Sequence, residues 1–257
     1  MSNLTVDEDF GAITAAATAV WSGIPGEGIE WTTTIINTTS TINYDVDTDS
    51  FEISFSDSGI EFHETFSPNE IRGPDFYEDA NGNRFFIIGR KEYLTLGVWT
   101  EPATGQAGVP WDVGSVIFGI HTLLANMPTT GSANYGVLVD GGFTVTATGE
   151  QNDLRGIMTM TTNFGTGVMS GTANLSWDPT GDNGSGSVVV QQSWNEVNFS
   201  ANIAGNTFSG TTGTVDNTMN GVMDGMFFGP AAAEIGGFWS LTGDGMTAGG
   251  HLPGDRQ

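Results

Sequence analysis

From residue 29 onward, short runs rich in threonine, valine, isoleucine and phenylalanine alternate with glycine, asparagine, aspartate and proline. Runs of this kind, bounded by turn-forming residues, are typical of antiparallel β-strands. Alternation is clearest where Phe143, Val145 and Ala147 are interleaved with threonines, because a strand with one buried face repeats every second residue. The sequence therefore predicts an all-β protein.

The predicted strands form two groups. The first group comprises residues 30–36, 41–46, 50–55, 83–89, 92–100 and 114–121. The second group is more regular and comprises 133–139, 142–148, 155–162, 167–177, 186–194, 196–203, 207–214, 219–228, 236–241 and 245–249. Repeated up-and-down strands without a long crossover favour an antiparallel sheet that closes into a barrel, since closure removes both exposed edges. Proline and glycine at 125–131 predict a domain junction near Pro128.

The first 28 residues carry a different pattern. Acidic residues at 7–9 precede an alanine-rich stretch at 12–21, a combination that favours a capped helix. We therefore expect three regions: an N-terminal segment at 1–28, helical in part; a β-rich domain at 29–128; and a β-barrel at 129–257.

Charge narrows the range of partners. The chain of 257 residues has 6 Lys plus Arg against 30 Asp plus Glu, a net charge of −24. Such a surface repels phosphate backbones, so nucleic-acid binding is not expected. The longest apolar stretches, 115–120 and 225–237, are too short or too rich in glycine for a membrane-spanning helix, so no transmembrane segment is expected.

The N-terminal sequence has no basic region followed by an apolar run, so no signal peptide is expected in the chain as it stands. Cysteine is absent. We therefore expect no disulfide framework, no thiolate metal site and no lipid anchor on cysteine in this sequence.

The run at 225–239 predicts a tight connection between two strands. An apolar strand ends at Phe228, Gly229 turns the backbone, and Pro230 opens a short helical turn where its missing N–H costs nothing. Gly236 and Gly237 then let the chain pack closely as it re-enters the sheet.

This run closely resembles the G-x-F-Y-G-P-x-A-x-E-x-G-G-x-F signature of the transferrin-binding-protein-B-like β-barrel family, which includes Slam-type surface lipoproteins of Gram-negative bacteria. Residues 163–172 resemble the family's D-F-G-x-G-x-x-S-G strand pair, and residues 205–211 its G-x-x-F-S-G-T strand. Residues 93–99, 116–122 and 125–135 resemble the smaller, solute-binding members. The fold-signature positions are Gly171, Gly225, Phe228, Gly229, Pro230, Glu234, Gly236 and Gly237.

The resemblance implies a β-rich "handle" domain followed by an eight-stranded antiparallel barrel. It also implies an extracellular or cell-surface protein that captures a host or environmental protein, haem or another small nutrient ligand, without catalysis. The chain departs from the family in its missing lipidation cysteine, its C-terminal residues and its short loops.

Four residues are candidates for ligand binding. His121 ends a predicted strand and could ligate haem together with Tyr93, Tyr44 or Tyr77; a hydrogen-bonded histidine at a strand end is the favoured alternative. Trp99 and Trp111 flank a proline- and glycine-rich segment, where aromatic side chains serve contacts with a protein or glycan. The favoured alternative is that both tryptophans pack into the core, as most tryptophans do.

The sequence patterns that would indicate a metal site or a catalytic site are weaker. Asp45, Asp47 and Asp49 alternate as in a calcium loop, but serines replace its glycine and its bidentate glutamate, so a solvated turn is favoured. Calcium binding on this acidic surface stays open, and Asp75, Glu78 and Asp79 are equally ambiguous. The histidines His63, His121 and His251 have no metal-site spacing. Glutamate pairs 27/30 and 61/64 match no hydrolase motif, so we expect no catalytic residue, no metal site and no required cofactor.

Two functions remain open. The first is a non-enzymatic extracellular or cell-surface binding protein. The alternative is a structural or assembly subunit of a surface coat, appendage or particle, in which the barrel is a rigid module that contacts copies of itself.

Overall fold

The computed structural model describes residues 8–21, 29–34, 40–57, 60–69, 72, 75–101, 110–177 and 191–257. The strands of the first half are β1 Glu8–Trp21, β2 Ile29–Thr34, β3 Ser40–Asp45, β4 Ser50–Asp57, β5 Ile60–Pro68, β6 Phe76–Glu78, β7 Arg84–Arg90, β8 Leu94–Thr100 and β9 Pro110–Gly119. Those of the second half are β10 Ser132–Val145, β11 Gln151–Asn163, β12 Val168–Trp177, β13 Gln192–Ala204, β14 Thr207–Thr214, β15 Met219–Phe228, β16 Glu234–Gly243, β17 Met246–His251 and β18 Gly254–Arg256.

The predicted all-β class is confirmed, and every pairing given for these strands is antiparallel. The described part of the chain contains no helix with the length and apolar character that a membrane-spanning helix needs. The chain forms two compact units, with the change between Thr122 and Leu123. A single 3-10 turn at Leu124–Asn126 follows, and the predicted junction near Pro128 comes just after it.

The first unit is one sheet that curls around an aromatic core. The strand order is β2-β1-β3-β4-β5-β6-β7-β8-β9, and β1 also pairs with β9. Phe51 lies at the centre of the core, with its ring centroid 5.4 Å from that of Phe85 and 5.8 Å from that of Phe118. Edge-to-face contacts of this kind add to the stability gained from burial.

The N-terminal helix expected within residues 1–28 is wrong, because residues 8–21 form strand β1. Phe10 and Ala12 are buried at 3% and 4% exposure, the two-residue spacing of a strand. β1 pairs with β3 on one side and β9 on the other. Backbone pairing on both sides overrides the helix preference of alanine, which amounts to less than about 1 kcal/mol per residue.

The second unit is the predicted eight-stranded antiparallel barrel. Its ladder runs β11-β12-β13-β14-β15-β16-β17-β10 and closes through the pairing of β10 with β11. The short strand β18 pairs with β10 and β16, in line with β17. The barrel interior is filled by side chains, with Tyr135, Phe199 and Trp239 among the largest that are fully buried.

Several predicted boundaries differ from the structure. Predicted strands 133–139 and 142–148 are a single strand, β10, because Gly141 and Gly142 allow a close approach and not a turn: a Cβ on Gly141 would lie 2.8 Å from Gly250 Cα. Residues 192–204 likewise form one strand, and 186–190 lie outside the described residues. Strands β5, β6 and β18 were not predicted.

The connection between β15 and β16 follows the predicted mechanics except at its centre. β15 ends at Phe228 and Gly229 has φ +72. The helical turn expected after Pro230 is wrong, since Ala231 and Ala232 have φ of 52 and 58. Tyr135 donates its hydroxyl hydrogen bond to Ala232 O at 2.7 Å, and Arg256 Nη1 donates to Ala231 O at 2.7 Å. These two tertiary contacts hold a left-handed turn that alanine itself disfavours.

Candidate binding surface

One end of the first unit gathers two of the predicted binding residues and an acidic turn. We call it the strand-end surface and define it as the 45–50 turn between β3 and β4, the 91–93 turn between β7 and β8, and Ile120–His121 after β9. Leu94 and Gly11 both pair with Gly119, and β1 continues to Glu8, the partner of Tyr44. These ladders place the three segments at the same end of the sheet.

The 45–50 turn is held by its own carboxylates. Asp45 Oδ1 accepts hydrogen bonds from the N–H of Asp47 at 2.8 Å and of Thr48 at 3.1 Å. Asp49 has φ +48, and its Oδ1 accepts the Tyr44 hydroxyl at 2.8 Å. Burial raises the pKa of Tyr44 to about 12, and the hydrogen bond to Asp49 adds to the effect. The predicted solvated turn is confirmed. The carboxylate of Asp45 accepts hydrogen bonds from the backbone of the turn itself.

Tyr77 lies beneath this turn in the core. Its ring centroid is 4.9 Å from that of Phe51 in an edge-on contact. Burial raises the pKa of Tyr77 to about 12, the negative charges of Asp49 and Asp75 add to the rise, and the charge of Arg90 opposes it. Arg90 Nη2 pairs with Asp75 Oδ1 at 2.5 Å. The 45–50 turn thus forms an acidic rim above two neutral phenols, and the ion pair of Arg90 with Asp75 acts on Tyr77 from beside it.

The structure brings the backbones of Tyr93 and His121 close together. Ile120 donates its N–H to Tyr93 O at 3.0 Å, so the 91–93 turn is tied to the end of β9. The side chains of Tyr93 and His121 are half-buried, and Ile120 is 50% exposed. His121 Nδ1 is buried and has no hydrogen-bond partner within the described residues.

The two tryptophans predicted to bind a ligand, Trp99 and Trp111, are not part of the strand-end surface. Trp99 as a surface contact is wrong, because its side chain is 0% exposed in the aromatic core. Trp99 is paired directly with Gly114, and a Cβ at that glycine would lie 2.5 Å from the indole Nε1; the missing side chain makes room for the ring. Trp111 pairs with Ala19 in the β1–β9 ladder, but its side chain lies outside the described part of the chain.

The positions of these residues give limited support to binding of haem or calcium. Tyr44 and Tyr77 are buried at 8% and 4% exposure, which withdraws both phenols from a haem on the surface. Tyr93 and His121 as axial ligands stay a prediction. Among the described residues, no three His, Cys, Asp or Glu side chains are grouped so that they could hold a metal ion.

The other two histidines lie on strands that are not part of the strand-end surface. His63 Nδ1 is hydrogen-bonded with Ser54 Oγ at 2.6 Å on β4, and its Nε2 is 3.5 Å from Glu52 Oε1. His251 lies on β17 of the barrel, with its Nε2 3.7 Å from Asp140 Oδ2. Each histidine has a carboxylate neighbour that accounts for its position.

Of the glutamates considered for hydrolysis, only Glu64 has a side chain within the described residues. Glu27 and the side chains of Glu30 and Glu61 lie outside the described residues. Glu64 instead forms a side-chain hydrogen bond with Asp79. Burial raises the pKa of Glu64, and the hydrogen bond and negative charge of Asp79 raise it further. This carboxyl pair was missed from the sequence, since its two members are far apart in the chain.

The fold-signature residues all lie in the barrel. A Cβ on Gly171 would lie 3.0 Å from Thr159 O, and one on Gly237 would lie 2.7 Å from Asp224 O. Glu234 is buried at 4% exposure. Gly171 and Gly237 therefore lie where neighbouring strands approach closely, and the signature describes a scaffold more than a binding surface.

Comparisons with known proteins agree with this architecture. Residues 127–254 match the family model described as C-lobe and N-lobe beta barrels of Tf-binding protein B. No curated protein sequence matches at a significant level.

Among solved structures, intact Ap-TbpB (N and C lobes) is 13% identical, with 98% of this chain and 78% of that chain covered and a TM-score of 0.48. HpuA from Kingella denitrificans in complex with human haemoglobin is 17% identical, with 100% and 89% covered and a TM-score of 0.44. Isotype 1 TbpB from serogroup B Neisseria meningitidis is 11% identical, with 98% and 77% covered and a TM-score of 0.40.

Proposed function

Because the chain belongs, through residues 127–254, to the transferrin-binding-protein-B-like β-barrel family, we propose that it is a non-enzymatic binding protein that captures a nutrient-carrier protein outside the cell. The match of the barrel to the barrels of Tf-binding protein B is the single observation that carries the proposal. Haem enters as cargo, alone or inside a carrier, and no resident cofactor is required.

Among the described residues of the first unit, those of the strand-end surface are best suited to the contact. Asp47 and Thr48 are exposed at its rim, and Ile120 supplies an apolar side chain that is 50% exposed. Carboxylates at a rim accelerate the encounter with a positively charged patch, and apolar groups inside the rim supply affinity. The net charge of −24 strengthens that steering.

The test is binding of the full chain, immobilised for interferometry, to a panel of iron-free transferrin, iron-loaded transferrin, haemoglobin and haemin. We expect one member of the panel to bind saturably with one-to-one stoichiometry. Asp47→Arg should slow association with that member about tenfold through lost steering. Asp153→Arg, an equal charge reversal at an exposed position on β11 of the barrel, serves as the matched control.

Haemin gives a separate readout for the two half-buried residues. A Soret band that His121→Ala abolishes and Tyr93→Phe weakens would make haem a direct ligand of the strand-end surface. Absence of saturable binding by every member of the panel would contradict the proposed function. If Asp47→Arg and Asp153→Arg slow association equally, the strand-end surface is not the surface that binds the carrier.

A further inference from the structure

Among the described strands, β5 has a partner on one side only for most of its length. β4 pairs with seven consecutive residues, from Ile60 to Phe66. On the other side β6 reaches only Ser67 and Pro68. Within the described residues no strand lies against that side of 60–66. An unpaired edge of this length presents a row of N–H and C=O groups that can accept an added strand.

The direction of the open groups follows from the neighbouring hydrogen bond. Asn69, directly after β5, donates its N–H to Phe76 O on the β6 side at 2.8 Å. Because the hydrogen-bonding direction alternates along a strand, the N–H groups of Thr65, His63 and Glu61 point to the same side, against which no described strand lies. The N–H groups of Phe66 and Glu64 point to β4.

A concentration of negative charge lies beside this edge. Glu64 is the direct partner of Ile53 on β4 and shares its face of the sheet. Its carboxyl hydrogen-bonds Asp79, and Glu101 adds a further negative charge, whereas the neighbouring His63 acts in the opposite direction. Asp79 already accepts the N–H of Asn81 at 2.8 Å, the N–H of Asn83 at 2.8 Å and the Asn83 Nδ2 at 2.7 Å. Two carboxyl groups in contact disfavour full ionisation, and a cationic group placed against them relieves that cost.

We propose that the open edge of β5 is a strand-addition site for an extended segment of the captured protein, and that a lysine or arginine of that segment docks against Glu64 and Asp79. The residue opposite Glu64 in an added strand presents its side chain to the same face of the sheet. Main-chain hydrogen bonds supply affinity in such an addition and the alternate side chains supply specificity. The proposal rests on the proposed function, since the captured protein provides the segment.

A second copy of this chain is a poorer occupant. Its own β5 carries Glu64, whose carboxyl contacts Asp79, so pairing two such edges would bring like charges together, which is destabilising. The overall charge of −24 opposes the same pairing.

The experiment uses the full chain and a capped seven-residue peptide of alternating threonine and valine with one central lysine. Amide hydrogen exchange, followed by nuclear magnetic resonance, is measured with and without the peptide. We expect exchange to slow at His63 and Thr65, whose N–H groups face the open side, and to change little at Glu64 and Phe66. The same peptide with a central glutamate should bind about tenfold more weakly.

Two variants of the chain separate main-chain from side-chain contributions. Thr65→Pro removes one N–H on the open side, and proline is tolerated where that group faces solvent; it should abolish peptide binding. Thr65→Val keeps the N–H and should bind as the original chain does. Glu64→Gln should weaken binding of the lysine peptide about tenfold. The same variant should not weaken binding of the glutamate peptide. The melting temperature of each variant confirms that it is folded.

Unchanged exchange at His63 and Thr65 with saturating peptide would overturn the proposal, as would full binding by folded Thr65→Pro. A dimer in light scattering that Thr65→Pro dissolves would assign the edge to a second copy and also overturn it. If the peptide does not bind but a carrier protein still does, the strand-addition site is rejected and the proposed function is retained. If the peptide binds but no carrier protein does, the proposed function is rejected and the strand-addition site is retained.

Discussion

Gly225 lies directly across the β14–β15 ladder from Phe208, and the ring covers it. A Cβ at this position would overlap the Phe208 ring and lie 2.6 Å from Gly236 O. Phe208 itself is 2% exposed and its centroid is 5.5 Å from that of Phe227. The ring is therefore buried between Gly225 and the Phe227 ring.

We predict that Gly225→Ala lowers the free energy of unfolding by about 1–3 kcal/mol through overpacking. Gly165→Ala is the matched control, because its nearest neighbour, Asn163 Oδ1, would be 3.4 Å from the added Cβ. Urea denaturation of both variants measures the difference. Equal stability of the two variants would show that the ring of Phe208 moves aside.

Asp140, on the barrel's outer face, gives a prediction about pH. The His251 imidazole is the main group that holds the pKa of Asp140 below its usual range, and Arg155 adds to the effect. Since the carboxylate is favoured in the folded state, this stability is fully present above the ordinary aspartate pKa of about 3.9. It is lost as pH falls through the lowered pKa.

Asp140→Asn should therefore lower the free energy of unfolding by about 1 kcal/mol at pH near 7, and the deficit should shrink toward the acid end. Thermal unfolding from neutral pH to the lowest pH at which the chain is folded checks this. Asp153→Asn, an exposed carboxylate on the neighbouring strand, should show no such convergence. A deficit independent of pH would contradict the role of the Asp140 charge.

At the scale of elements, β1 is the clearest departure from the sequence prediction. Local preference indicated a helix over 12–21, whereas Ala15 lies opposite Ser115 in the β1–β9 ladder. Because paired residues have Cα atoms about 4.5–5.5 Å apart, a disulfide can join them. The chain has no cysteine, so a designed pair would be the only one.

We predict that the double variant Ala15→Cys, Ser115→Cys forms an intramolecular disulfide under mild oxidation. Ala15→Cys with Val113→Cys is the control, because Val113 pairs with Ala17 and is out of register by two residues. Mass spectrometry after alkylation reads the result. Equal cross-linking of both pairs, or of neither, would contradict the register of β1.

The sequence predicted the barrel better than the first unit for a physical reason. In the barrel each strand turns directly into its neighbour, so alternation such as that around Phe143 reports local pairing. In the first unit β1 pairs with β9 across a long stretch of chain, and a β6 of 3 residues is too short to show a pattern. Long-range pairing of this kind leaves no local signal.

The candidate site shows the same limit. Tyr93 was one of three tyrosines considered as a partner of His121, and only the ladder of β8 and β9 shows that the backbones of these two residues lie close together. Trp99 was misplaced because its burial depends on Gly114, a residue of another strand. The contact of Glu64 with Asp79 likewise joins residues that no motif connects.

At the scale of the molecule, the charge of −24 sets a prediction about salt. Acidic groups at this density repel one another in the folded state, and added ions screen that repulsion over a Debye length that falls from about 30 Å at 0.01 M to about 10 Å at 0.1 M. The melting temperature should therefore rise with sodium chloride over this range. A flat or falling melting temperature would contradict the repulsion.

The central claim is that this chain captures a nutrient-carrier protein. Light scattering coupled to size exclusion tests it most directly, with the 27.0 kDa chain mixed in turn with transferrin and haemoglobin. We predict a complex with one of them whose mass is the sum of one chain and one carrier. Unshifted elution of the chain with every carrier would contradict the claim.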